Sequence, residues 1–539
     1  MVLSVPWSLA LCITEMLKLV SQWNRRSAPH VRHMLSLFRR LESDPRRVET
    51  ALTLLFASLF AAMVIRWWIP GIFSSYWLDE TGSLWVTQGG ANQMFYRSTR
   101  CPQSLAYCVL LWITSLVAGS GPVVFHLLSV VASLFTAFAL FRLGRRYLPV
   151  SGAVLAVGLW AITGANYTLV TQARPYAFAM AASVACAWQL ERWLDNSSWP
   201  NTVLLGVAGI LPSYFFFPNI VLLGSIVLYV LIRRAAMPPV SRILGVAACW
   251  VLLSVIPVAE YLSVSNFSAH AISTRPGDRL ELFWIIVPLP FVVAYVVAMI
   301  VSKFLPFGDA AKGEDGRGAL ILALTFAVLL PTAFFVASKM GQGLWHIRHL
   351  SAVTPFVALL QASVLTALRP LAVRIVALAV LVTFAVPGPA REIFRGPLIP
   401  DRGGRAYGSA IAEVRQELQQ PGTVLIGTSE FVQGRRWKFP VSDVDKDWLM
   451  APITTQIPGV TPILLPVQLE QGDEAYRAAI VTTLQQVDRA VYFGGPLPAW
   501  MAGVYKEGEW TKEVRLANPA WELVTFTRSH PNSGSRLAR

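Results

Sequence analysis

The sequence predicts an all-α polytopic membrane protein of about 11 transmembrane helices plus juxtamembrane helices, followed by a C-terminal α/β domain outside the membrane. Three observations carry that reading. The 539 residues are 55% hydrophobic and only 14% charged, with a mean hydropathy of +0.52, which lies outside the range of ordinary soluble domains. Apolar stretches long enough to cross ~30 Å of hydrocarbon, at ~20 residues each, recur through residue 387 and then stop. From about Gly388 the character changes: Pro387, Pro389, Pro397 and Pro400 interrupt the pattern, and Asp401 to Arg405 is polar.

Spans are expected at about 51–70, 123–142, 150–168, 177–194, 202–217, 219–233, 243–261, 281–301, 319–337, 350–368 and 371–387. The fifth and sixth meet at a junction crowded by Pro212 and Pro218. Three parts follow: an N-terminal cytoplasmic or interfacial segment, 1–48; a transmembrane domain, 49–387, whose first outer loop is 71–122; and an extracytoplasmic α/β domain, 388–539.

Basic residues outnumber acidic ones 45 to 30, but their distribution argues against nucleic acid. They gather in short loops: Arg25 to Arg47 before the first span, Arg142 to Arg146 after the second, Arg233 to Arg242 after the sixth, Arg369 and Arg374 after the tenth. All fall on one side of the expected topology, and the positive-inside rule makes that side cytoplasmic. The apolar segment 103–119 must then lie in the interface or re-enter, because a span there would invert every later loop. Met1 to Val20 has no basic residue ahead of its apolar part and no clear small-residue cleavage site, so it reads as an interfacial helix rather than a signal peptide. Cys12, Cys101, Cys108, Cys186 and Cys249 are scattered without metal-ligand spacing and read as small membrane-core residues.

In the C-terminal part, helical periodicity runs over Ala406 to Gln420, and Thr423 to Gly427, Arg489 to Phe493 and Glu522 to Thr527 are strand-like. Ser529 to Arg539 reads as a disordered tail. No internal repeat is visible, which weighs against an inverted-repeat transporter.

The unusual polar residues fall on the outer side. Asp79 and Glu80 directly follow the first span, where paired acids are costly unless they do chemistry, bind a cation or salt-bridge. A bridge to Arg97 or Arg100 in the same loop is the plain alternative. Gln172, Arg174 and Tyr176 surround Pro175, which fits a helix start. Arg174 and Arg348 also suit simple snorkelling to lipid phosphates. His346 and His349 flank Arg348 three residues apart, on one helical face, open to an anion site or a metal pair, although no third ligand is evident. Ser213, Tyr214 and Asn219 sit at the outer junction of the fifth and sixth spans, where Tyr214 and Phe215 to Phe217 also read as an aromatic belt. His126 reads as a neutral histidine packed between helices.

The ordered set of these residues resembles the polytopic glycosyltransferases of the GT-C fold, in the branch of lipid A aminoarabinose transferases and protein O-mannosyltransferases. The elements are Trp77 to Glu80, Cys101 to Tyr107, Gly119 to Gly121, Leu143 to Arg146, and Gln172 to Tyr176. The resemblance covers roughly 70–235 well, and more weakly Arg348 and His349 followed by Pro355. The double proline usual in these enzymes is reduced to Pro102-Gln103, the basic residue before it is replaced by Cys101, and His126 stands where Arg is frequent. The resemblance implies juxtamembrane helices in the first outer loop and a bacterial cytoplasmic (inner) membrane location. It implies a polyprenyl-phosphate-linked sugar as donor and a glycolipid, polysaccharide or protein acceptor, with no certain cofactor and the need for a divalent cation left open. Chemistry and resemblance together make Asp79 the expected base, with Glu80 orienting the acceptor or a neighbouring cation. Arg174, Arg348, Tyr176, His349, His346, Tyr214 and Gln172 are the expected substrate-binding residues. A transporter or lipid flippase is the rival reading, although the expected spans are nearly empty of ionisable groups. A non-enzymatic assembly protein, in which Asp79 would be dispensable, is the other.

Overall fold

The computed structural model describes residues 44–99, 103–162, 166–233, 237–268, 315–339, 347–368, 374–375, 377–378, 404–428, 443–465, 474–495, 497–505, 509–518 and 521–529. Helix α1 (Pro45–Met63) starts as its sequence dictates, with proline in the first turn and the Asp44 carboxylate accepting the Arg47 amide at 3.3 Å. It runs on through a π-type turn, Val64–Trp68, that buries Trp67 and Trp68. Short helices α2 (Thr81–Thr87), α3 (Ala91–Ser98) and α4 (Leu105–Ala118) follow in the loop that the sequence reading expects to be the first outer one. At ~1.5 Å per residue α4 is only about 21 Å long, short of the ~30 Å of hydrocarbon.

The bundle continues with α5 (Pro122–Arg145), α6 (Val150–Ile162), α7 (Tyr176–Asp195), α8 (Trp199–Phe215), α9 (Leu222–Ile232), α10 (Val240–Ser268), α11 (Asp315–Lys339) and α12 (Thr354–Ala367). Five helical stretches among the described residues are long and apolar enough to cross a membrane: Arg46–Ile72, Pro122–Arg145, Val240–Glu260, Gly318–Ala337 and Arg348–Ala367. The expected span 281–301 and all but four residues of 371–387 lie outside the described residues. Small residues bring the helices close. A Cβ on Gly206 of α8 would stand 2.5 Å from the Cys249 Cβ of α10. The opposite face of α10 leaves Val251, Leu252 and Val255 largely exposed, a surface suited to lipid.

Prolines shape several helix ends. Pro257 has no amide to give the Leu253 carbonyl one turn back, and the Tyr214 hydroxyl donates to that carbonyl at 2.8 Å instead. Between α8 and α9 the chain breaks at Phe216 into a 3-10 turn, Phe217–Val221.

The two ends of the bundle differ. At one, the guanidinium of Arg146 forks onto Asp195, its Nε lies 2.9 Å from the fully buried Glu191, and Tyr229 donates to Glu191 at 2.5 Å. Glu49 at the start of α1 accepts from the amide and hydroxyl of Ser151 at the same end. The other end carries the first outer loop and the C-terminal part. There α13 (Gly404–Glu417), α14 (Asp443–Thr454) and α15 (Glu474–Gln485) cover a five-stranded sheet of order β2-β1-β3-β5-β4. Its strands are β1 (Thr423–Thr428), β2 (Ile463–Leu465), β3 (Arg489–Gly494), β4 (Trp510–Asn518) and β5 (Trp521–Arg528). β1 pairs in parallel with β2 and β3, and the β4–β5 hairpin joins antiparallel through β5.

Successive strand residues serve opposite faces. Ile426, Tyr492 and Val524 pack with Leu484 of α15, whereas Leu425, Val491 and Leu523 face α13 and α14. That second core also takes in Trp85, Val86, Met94 and Cys108 of the first outer loop. Trp85 and Trp448 lie 5.0 Å apart, and Asp447 accepts from Trp85 Nε1 at 3.0 Å and Arg97 Nη2 at 3.1 Å. Arg97, weighed from sequence as a partner for Asp79 or Glu80, therefore fastens the outer loop to the sheet domain. Tyr407 of α13 donates to the Pro452 carbonyl, and burial pushes its phenol up, which keeps it a donor.

Candidate active site

Asp79 and Glu80 end a one-turn 3-10 helix, Leu78–Glu80, that leads into α2. The two carboxylates go separate ways. Glu80 is 2% exposed and turns inward; its Oε2 accepts the Trp77 amide at 3.0 Å, the reach-back half of a capping box. Its Oε1 accepts the Ala173 amide at 2.7 Å, while Ser83, one turn along, donates to the Ala173 carbonyl at 2.6 Å. Two residues three apart on one helical face thus hold both backbone groups of a residue more than 90 positions away. The same loop is fastened from α5 by Ser129, donating to the Gln172 carbonyl at 2.5 Å, and Ser133, donating to the Val170 carbonyl at 3.1 Å.

With Ala173 fixed, Arg174 is delivered to the acids. Its Nη1 donates to the Asp79 carbonyl at 2.6 Å, and its Nη2 lies 3.4 Å from the Tyr176 hydroxyl. The Asp79 carboxylate itself points outward and pairs with Arg348 Nη1 at 2.7 Å, the two side chains being 31% and 28% exposed. Asp79, Arg174, Tyr176 and Arg348, expected from sequence to share a membrane face, form one contiguous cluster. Asp79 does form a salt bridge, with Arg348; of the partners weighed from sequence, Arg97 pairs with Asp447 and Arg100 lies outside the described residues.

His349 follows Arg348 in the 3-10 turn Ile347–Val353; it is 5% exposed and stacks on Phe216 at 5.1 Å. Phe216 also meets Tyr176 at 6.5 Å and Phe334 at 6.5 Å. Beyond it lies an apolar pocket of about 190 Å³ lined by Phe217, Ile220, Pro257, Val258, Phe334 and Ala337. A continuous path of side chains therefore leads from two arginines through aromatic rings to a greasy cleft between α10 and α11.

Other expected residues fall differently. The Tyr214 hydroxyl is engaged by the Leu253 carbonyl, Gln172 contributes a backbone carbonyl held by Ser129, and His346 lies outside the described residues. His126, read from sequence as a neutral packing histidine, has its Nε2 3.2 Å from both Glu80 oxygens and is 1% exposed. Sequence offered its position, five residues after Gly121, and its departure from the Arg that the resemblance led one to expect there. Among the described residues no group of three or more His, Cys, Asp or Glu is placed to hold a metal ion.

No protein-family model and no curated protein matches this sequence. Solved structures do match in shape. ArnT from Cupriavidus metallidurans bound to undecaprenyl phosphate superposes with a TM-score of 0.52 at 12% identity, over 88% of this chain and 98% of that one. The apo state of the same protein gives 0.50 at 11% identity, over 89% and 97%. The chain has the GT-C fold of ArnT, an aminoarabinose transferase.

Proposed function

We propose that this chain is a membrane glycosyltransferase that moves a sugar from a polyprenyl-phosphate donor to an envelope glycolipid, polysaccharide or protein. Transfer takes place on the outer face by inverting displacement. The observation that carries the proposal is the Asp79–Arg348 contact beside Arg174. A carboxylate and two guanidiniums meet at Asp79, a grouping that suits a proton acceptor beside a phosphate. The shared fold with a protein crystallised with undecaprenyl phosphate supports it, as does the pocket beyond Phe216, whose apolar lining suits a prenyl tail.

In this reading the acceptor hydroxyl lies against Asp79. As its oxygen forms the bond to the anomeric carbon, its proton passes to the Asp79 carboxylate, and the bond from that carbon to the phosphate oxygen breaks. The electron pair leaves on the phosphate. Arg348 and Arg174 hold the developing charge by charge-assisted hydrogen bonds, and Tyr176 and His349 line the approach. One base and a single displacement invert the anomeric centre, unlike the two-carboxylate double displacement of retaining glycosidases. Glu80, enclosed by Trp77, Ala173 and His126, organises this constellation from behind. The bundle end with Arg146 faces the cytoplasm by the positive-inside rule, which puts the cluster and the sheet domain outside.

The test is reconstitution of the full chain in liposomes with labelled polyprenyl-phosphate sugars. Release of polyprenyl phosphate coupled to labelling of an envelope fraction is expected. No release from any such donor, with folded protein present, overturns the proposal. Mass spectrometry of envelope glycolipids with and without the protein then identifies the acceptor.

A further inference from the structure

We infer that His126 and Glu80 hold one buried proton between them, and that through it His126 acts as a positioning residue for Asp79. The positioning role rests on the base assigned above; the shared proton does not.

The argument is a count of donors. His126 Nδ1 lies 3.3 Å from the Ile72 carbonyl and 3.5 Å from Ser74 Oγ. Ser74 gives its own proton to the Gly71 carbonyl at 2.7 Å, so both neighbours of Nδ1 accept and Nδ1 must carry hydrogen. A neutral ring would then turn a bare Nε2 toward Glu80, whose oxygens stand 3.2 Å away. Two acceptors would face each other where the ring is 1% and the carboxylate 3% exposed, a costly arrangement away from bulk solvent. One proton in that contact, as imidazolium or as carboxylic acid, removes the conflict.

Among the described residues the neighbouring donors are directed elsewhere or keep their protons. Tyr76 packs its ring on His126 at 5.7 Å, but its hydroxyl donates to the Ser120 carbonyl at 2.8 Å, and burial with the Glu80 charge pushes its phenol up. The Tyr107 phenol is likewise pushed up by burial, and Arg174 is directed at the Asp79 carbonyl.

The contact closes a ring of restraints: Ile72 carbonyl to His126, His126 to Glu80, Glu80 to the Trp77 and Ala173 amides. This ring ties α5, the loop before Asp79 and the loop before Arg174 into one unit. Asp79 is the next residue along, and its carboxylate is aimed by that unit.

Two measurements on the full chain test this. Nitrogen-15 NMR of labelled histidine, with the His126 signals identified by their loss in His126→Gln, should show Nδ1 protonated and Nε2 carrying or sharing a proton. A bare Nε2 overturns the shared proton, whatever the activity. In sugar transfer, His126→Leu should lower kcat roughly 10²-fold, the scale of a ~1 Å misplacement, with donor KM nearly unchanged. His126→Gln, whose amide can still donate to Glu80, should retain most of the rate. An unchanged kcat in His126→Leu overturns the positioning role, and so does wild-type protein that transfers no sugar.

Discussion

Replacing Asp79 by Asn removes the proposed proton acceptor but leaves the backbone carbonyl that Arg174 holds and an amide oxygen that can still accept from Arg348. The structural cost follows from exposure. With the paired side chains 31% and 28% exposed, water screens the ion pair, and such pairs contribute about 0.2–1 kcal/mol. The chemical cost is larger, because a positioned base supplies about 10²- to 10⁴-fold, or roughly 3–5 kcal/mol of barrier. Asp79→Asn is therefore expected to fold, to melt close to wild type in detergent, and to release polyprenyl phosphate at least ~10²-fold more slowly in a single turnover. The assay follows a labelled donor at saturating acceptor. A rate within threefold of wild type from folded Asp79→Asn protein would refute the reasoning.

Three further outcomes are expected. Arg348→Lys keeps the charge but loses the planar fork, so donor KM should rise about tenfold with a smaller change in kcat; an unchanged KM counts against a phosphate contact. Tyr214→Phe leaves the Leu253 carbonyl without its donor and should lower the unfolding free energy by about 1 kcal/mol, read from the thermal midpoint. Asp447→Ala strips Arg97 and Trp85 Nε1 of a shared acceptor and should cost about 1–3 kcal/mol of docking, seen as faster proteolysis within 404–529.

Ionisable residues at a bilayer boundary stand out against an apolar background, which is why Asp79, Arg174 and Arg348 were legible in the sequence. What sequence did not show is how they are held. Ser83, Ser129 and Ser133 look like ordinary small helix residues, and their hydroxyls act on backbone carbonyls that only the fold brings near. The contact of His126 with Glu80 was not legible because the two lie 46 positions apart and an apolar helix gives no sign of a buried carboxylate. Helix α7 and strands β1, β3 and β5 follow the expected segments closely. Strand β2 is three residues long, too short for any periodicity. β4 carries Lys512, Glu513 and Arg515 within four residues, a charge pattern that suits a protected sheet edge but hides the strand.

The fastening of Trp85 to Asp447 and Trp448 has a mechanical side. Trp85 stands six residues beyond Asp79, and the short helix between them is a stiff rod of about 9 Å at ~1.5 Å per residue. One tip carries the proposed base and the other is bolted to the sheet domain, which also meets the loop before the site where a Cβ on Gly408 would stand 2.9 Å from Ser75 Oγ. The sheet domain is therefore not cargo hung on the helical bundle. It is the abutment against which the rod bears, and cutting it away would unseat the rod and open Trp85, Val86 and Met94 to water.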